Sequence, residues 1–312
     1  MHLLIHALRV STRTHNKGLT MKNKQNRTKI FKKTNLFIET MRRLSKNVAA
    51  VIGLIIILIL AFAAIFAPLL TPYNYAKTDL KNTFDKPSLA HPFGTDDLGR
   101  DILTRILFGG RFSLRIGIIS IFFAVIGGLV VGSIAGYFGG KSDMIIMRAL
   151  DVIQAVPGLI LSIAVAAVLG PGFTNVIIAL AIGMIPGFAR MIRASILNVR
   201  KMEYIEAAQA INAGNFRIIT RHVLPNAIQP LIVTATMGLA SAILIAASLS
   251  FIGLGVQPPT PEWGAMLSAG RGYIRNYPHL VIFPGVTIMI AVLSLNMLGD
   301  GLRDALDPRL KD

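Results

Sequence analysis

Over most of this 312-residue chain the apolar residues neither alternate nor keep to one helix face. They run on in six stretches of about the ~20 residues that cross a bilayer. The stretches are 48–70, 114–137, 144–169, 176–197, 227–254 and 280–298, and they predict an all-α protein of six membrane helices. The first is longer than the ~7–15-residue core of a cleavable signal and follows too long a basic region, so it reads as a permanent helix. In the second, Gly128, Gly132, Gly136 and Gly140 repeat every four residues, a spacing that lines small side chains along one face and lets another backbone come close. Pro157 beside Gly158, and Pro186 beside Gly187, remove backbone donors within two stretches and predict kinks there.

Charge orients the spans. Residues 1–47 hold twelve Lys and Arg against Glu39 alone, which predicts a cytoplasmic N-terminal segment attracted to anionic lipid. Met21 is a second candidate start within it. Six crossings then place 299–312 in the cytoplasm as a tail, with loops 138–143 and 198–226 inside and 71–113, 170–175 and 255–279 outside. Arg200, Lys201, Arg217 and Arg221 outweigh Glu203 and Glu206 in the loop after the fourth span, as the rule asks. The long 71–113 loop is nearly neutral and votes weakly.

A composition of 53% hydrophobic and 15% charged residues excludes a soluble enzyme, a disordered chain and a collagen-like repeat. The absence of Cys excludes disulfides and thiolate sites. A net charge of +17 would suggest nucleic acid in a soluble protein. Here the excess precedes the first span without interleaved aromatics, so no nucleic-acid partner is expected.

Proton-driven carriers place paired ionisable residues at mid-span, and this chain offers few. Arg115, Arg148, Asp151, Arg190, Arg193 and Asp300 are read as lying near span ends, where they can snorkel, and Arg148 and Asp151 are placed to pair with each other. A segment from Ala135 to Gly140, Lys141 and Ser142 mimics a phosphate-binding loop. It follows a membrane helix rather than a strand, so no nucleotide site is expected there.

Between the fourth and fifth spans the pattern changes. Met202, Ile205, Ala208 and Ile211 recur every three residues and predict a short helix whose apolar face meets lipid or a partner's groove. Asn212, Gly214 and Asn215 supply its stop, and a second short helix through Phe216, Ile219 and Val223 ends before Pro225.

This segment resembles the EAA loop of ABC importer permeases, specifically the C-type subunit of dipeptide, oligopeptide and nickel systems. Glu206, Ala207 and Ala208 match its opening and Leu224 with Pro225 its close, while the motif's Gly falls on Asn212. Further blocks over about residues 42–312 carry the same resemblance: HPFGTDDLGRDILTRILFGGRFSL from His91, LGPG from Leu169, SFIGLGVQPPTPEWGAML from Ser250 and LGDGLRDALDPRL from Leu298. The resemblance implies the fold of a type I ABC importer permease: a first helix at 48–70, an extracytoplasmic loop at 71–113, and a five-helix core at 114–298. The core contains the coupling loop 203–225.

It further implies a subunit of the bacterial inner membrane that is not itself an enzyme and binds no cofactor or metal. ATP and Mg would be used by two partner ATPase subunits, docked through Tyr204, Ile205, Glu206, Ala207, Ala208, Ile211, Asn212, Ala213, Gly214, Leu224 and Pro225. A homologous second permease and an extracytoplasmic binding protein complete the assembly, with short peptides as first substrate and nickel chelates or another small solute as the alternative. Asp96, Asp97, Arg100, Asp101 and Trp263 are the candidate contacts to the binding protein. The same residues read equally well as surface ion pairs and an interfacial Trp. A stand-alone carrier would need mid-span charges or a two-half repeat, and neither is seen.

Overall fold

The computed structural model describes residues 36–306, so the basic segment up to residue 35, with Met21, and the tail at 307–312 lie outside the described residues. Every regular element among the described residues is helical. In helix α1 (Leu36–Leu44), Arg43 donates to Glu39 one turn earlier at 2.6 Å. The remaining elements form one compact unit from Leu44 onward.

Helix α2 (Val48–Ile65) starts where the Asn47 side chain accepts from the Ala50 amide, and α3 (Ala67–Leu70) adds one turn. Ile52, Ile55, Leu58, Ile59, Phe62 and Ile65 stay exposed along α2, as a lipid-facing helix requires. Helix α4 (Ile102–Phe138) begins well before the expected residue 114. The apolar pattern hid its first turns because Arg105 and Arg111 interrupt it. Arg105 is buried, and Arg111 donates to the carbonyls of Ala64 and Ile65, so neither charge stops the helix.

The third span is two helices, α5 (Gly140–Gln154) and α6 (Gly158–Leu169), meeting at 84° across Pro157. Pro186 behaves differently: α7 (Phe173–Val199) runs through it without a break. After α11 (Gln229–Phe251) comes α12 (Trp263–Gly270). The last helix, α13 (His279–Leu306), outruns its expected end at 298 because Leu298, Leu302 and Ala305 keep packing on Leu44 and Ala50. Five described helices are long and apolar enough to cross a membrane, six if α5 and α6 count as one span.

The tightest pairing is α4 on α7, and the glycine repeat explains it. A Cβ built on Gly128 would strike Phe188, one on Gly132 the Ala189 carbonyl, and one on Gly136 would come within 3.1 Å of the Arg193 carbonyl. The two backbones touch with no side-chain layer between them. Gly140, the fourth of the repeat, falls past the helix end and contacts nothing.

Candidate functional site

Helix α8 (Glu203–Ala210) opens the segment between α7 and α11. It ends in a Schellman motif: the Asn212 amide donates to Gln209 O at 2.9 Å and the Ala213 amide to Ala208 O at 3.2 Å. Asn212 takes φ +59°, the left-handed turn that the sequence asks of it. A further turn, α9 (Asn215–Ile218), leads into a widened π turn over Ile219–Val223 and then α10 (Leu224–Ala227). Pro225 has no amide to return to the carbonyl of residue 221, which leaves the preceding turn free to widen.

The segment is anchored on one side. Ile205, Ala208, Ile218 and Val223 are buried in a single cluster with Phe188, Ile192 and Ile196 of α7, and Tyr137 at the end of α4 donates to Asn215 Oδ1 at 2.9 Å. This corrects the expected docking face. Ile205 and Ala208 do not wait for a partner, because they are already part of this chain's core. The open side carries Tyr204, Glu206, Ala207 and Pro225, with Ile211 and Phe216 about 80% exposed. The apolar spacing groups Phe216 with Ile219 and Val223 on one face of the second helix; the turn that buries Ile218 and Val223 rotates it outward instead. Leu224 and Ala213 are half-buried, and Gly214 is exposed.

At the opposite end of α4 the charged block folds inward. Asp96 accepts from Arg100 Nε at 2.7 Å and from the amides of Leu98 and Arg100, and Arg105 Nε lies 3.4 Å from the same carboxylate. Asp101 caps α4 through the Thr104 amide at 2.6 Å and meets His91 Nδ1 at 3.0 Å. Trp263 is buried, its indole donating to Ile106 O at 3.0 Å, beside a buried Glu262 that accepts from Ser113 Oγ and the Ala265 amide. Of the five candidate contacts to a binding protein, Asp96, Arg100, Asp101 and Trp263 are thus buried structural groups, and only Asp97 is partly open. Nor does Trp263 sit at an interface as an anchor.

The phosphate-loop mimic is the tight link between α4 and α5, where Gly139 and Gly140 take φ +66° and +53°. Arg148 does not pair with Asp151. Asp151 accepts from Arg190 of α7 at 2.7 Å, and Asp143 holds Arg193, one turn further along, with both oxygens.

Comparison with known proteins bears on this architecture. Residues 128–312 match the family described as "Binding-protein-dependent transport system inner membrane component". The chain belongs to that family. Residues 35–92 of the permease also match the N-terminal membrane domain of oligopeptide transport permease C. The permease is 50% identical over 273 residues to the dipeptide transport system permease protein DppC of Alkalihalophilus pseudofirmus, covering 88% of this chain and 90% of that one. It is 47% identical over 273 residues to the glutathione transport system permease protein GsiD of Pectobacterium atrosepticum, covering 86% and 90%. Among solved structures, an inward-facing MetNI methionine ABC transporter shares the fold at TM-score 0.52 and 22% identity, over 64% of this chain and 94% of that one. The protein is therefore a multi-pass membrane subunit of an ABC importer of the peptide type, and not itself the ATPase.

Proposed function

We propose that this permease forms half of a membrane pathway for short peptides, paired with a homologous second permease, driven by two ATPase subunits and fed by an extracytoplasmic binding protein. In this reading it sits in the inner membrane with both termini and the 203–225 loop in the cytoplasm, in keeping with the basic balance of both regions. ATP and Mg belong to the ATPase subunits. Their closure moves α8, and α8 moves the spans between inward-open and outward-open states.

The observation that carries the ATPase contact is the exposed apolar trio Tyr204, Ile211 and Phe216 on a loop whose other side is locked into the core. Burying one such side chain in a partner's groove contributes about 1.5–3 kcal/mol. Glu206 and Glu203 sit in the first turn of α8, where carboxylates favour the helix N-terminus.

Short peptides fit the relatives named for dipeptides; a glutathione reading is favoured by relatives named for that tripeptide. Ile211→Asp with Phe216→Asp should leave the subunit's thermal unfolding within about 0.5 kcal/mol of wild type, yet abolish co-purification of the ATPase subunits and dipeptide uptake. Undiminished co-purification would reject the contact. The chain lacks Cys, so Asn82→Cys, Gln257→Cys and Asn215→Cys report topology without background. The first two should label from outside intact cells, and the third only after permeabilisation.

A further inference from the structure

Two ion pairs bridge α5 and α7, and the deeper one is the more open. Helix α7 has 27 residues and so spans about 40 Å. Centred on a hydrocarbon layer of ~30 Å, it places Arg193, six residues before Val199, roughly 4 Å inside that layer, within snorkelling reach of the boundary. Arg190, nine residues before Val199, lies roughly 8 Å inside it. The outer pair, Arg193 with Asp143, has side chains 31% and 19% exposed, whereas Arg190 and Asp151 are 45% and 50% exposed. An open ion pair at that depth cannot face hydrocarbon, because charges within a membrane turn to the bundle interior or to water.

The surrounding surface agrees. After Thr174 in its first turn, the exposed stripe of α7 reads Ile178, Ile182, then Gly187, Arg190, Ala194 and Asn198, changing from large and apolar to small or polar past Ile182. The exposed stripe of α2, by contrast, is large and apolar from Ile52 onward. Opposite the polar half lies the break between α5 and α6, where every residue from 151 to 160 is exposed, the apolar Val152, Ile153, Val156, Leu159 and Ile160 included. A Cβ added at Gly187 or Gly158 would meet nothing within 4 Å. The small or polar side chains of α7 and the charged pair thus lie together beside an open bend.

We propose that Asp151 and Arg190 line the water-filled path and exchange their ion pair for the termini of a passing peptide, Arg190 taking the carboxylate and Asp151 the ammonium. The assignment of termini rests on the peptide reading above; the water-filled wall does not. A pair that opens and re-forms offers a zwitterion one site for each end without leaving either protein charge unpaired after it has passed. Carboxylate binding suits the planar fork of Arg190.

The test uses the assembled transporter in proteoliposomes, with both permeases, the ATPases and a peptide-loaded binding protein. Ala194→Cys, which keeps the pair intact, and Asp151→Cys should both react with a cationic hydrophilic thiol reagent, more slowly in the presence of dipeptide. Failure of both to label would show that lipid or another subunit covers this wall, and would overturn the path. Arg190→Gln should lower dipeptide uptake at least about tenfold, the loss expected for one charged hydrogen bond, while the assembled complex is retained.

The double variant Asp151→Arg with Arg190→Asp separates the two roles. It should restore the bridge between α5 and α7 and normal assembly but not uptake, because each terminus would then meet its own sign of charge at the position where it had met the opposite one. Full recovery of uptake would make the pair a structural clamp and overturn the exchange. An unaltered transporter that labels at Ala194→Cys but moves no dipeptide would count against the peptide reading, and against the assignment of termini with it, while leaving the water-filled wall standing.

Discussion

The segments 71–101 and 200–228 are two of the permease's long connections, and they use their residues in opposite ways. Segment 71–101 has the sequence of a charged surface open to a partner, yet Asp96, Arg100, Asp101 and Arg105 are folded under and bonded to one another and to backbone. Segment 200–228 has the sequence of an amphipathic helix with its apolar face free, yet Ile205 and Ala208 are buried while Ile211 and Phe216 stand out. Charge in the former stiffens a cap over the end of α4. Apolarity in the latter is divided between an anchor and a contact surface. Residue type alone is therefore a poor guide to which loop meets other subunits; the decisive quantity is whether each polar or apolar group already has its partner within the chain.

The comparison breaks most sharply at Asp96. Asp96→Ala leaves Arg100 and Arg105 without their shared carboxylate, and removing one partner of a buried pair costs about 3–5 kcal/mol. The expected outcome is a large fall in the fraction of folded subunit by fluorescence-detected chromatography after heating. A variant that melts like wild type would return Asp96 to the candidates for a binding-protein contact. Ala208→Asp comes next. A carboxylate placed in the apolar cluster that Ala208 shares with Phe188 and Ile192 costs at least about 2–4 kcal/mol, so the 200–228 segment should become protease-sensitive as well as lose the ATPases. Loss of the ATPases with no change in proteolysis would mean that this face is, after all, the docking surface. The smallest effect is expected at Asn212. Asn212→Val opposes the left-handed turn by about 1–2 kcal/mol, whereas Asn212→Gly should be neutral or slightly stabilising, as read by urea dependence of cleavage within the loop.

The membrane helices were legible because a bilayer demands long apolar runs, and the glycine repeat announced a close backbone contact without saying that α7 would make it. Helix ends were less so. Arg105 and Asp300 resemble stops in a hydropathy pattern, but a helix ends where its backbone loses partners, and here tertiary contacts carry both helices further. The stop expected before Pro225 is absent, since helical backbone continues through Leu224–Ala227, but the position of the 203–225 loop and its left-handed Asn212 were readable. Its outward face was not, since a three-residue repeat marks an apolar side without saying who covers it. The pairing of Asp151 with Arg190 was hidden for a similar reason: the i, i+3 neighbour Arg148 is visible along the chain, while the true partner is thirty-nine residues away.

The glycine contact between α4 and α7 has a mechanical consequence. Soft joints between helices are layers of side chains that can re-rotamerise, and this joint has none along Gly128, Gly132 and Gly136. The anchor of the 200–228 segment, through Ile192 and Ile196, lies on the same stretch of α7. A push delivered to that segment therefore meets a stiff girder, about 55 Å long by the 37 residues of α4. It has little to bend before the whole girder swings. Compliance is left to the bend at Pro157, so under the proposed coupling a stroke arriving at one end would reach the far end as rotation rather than being absorbed on the way.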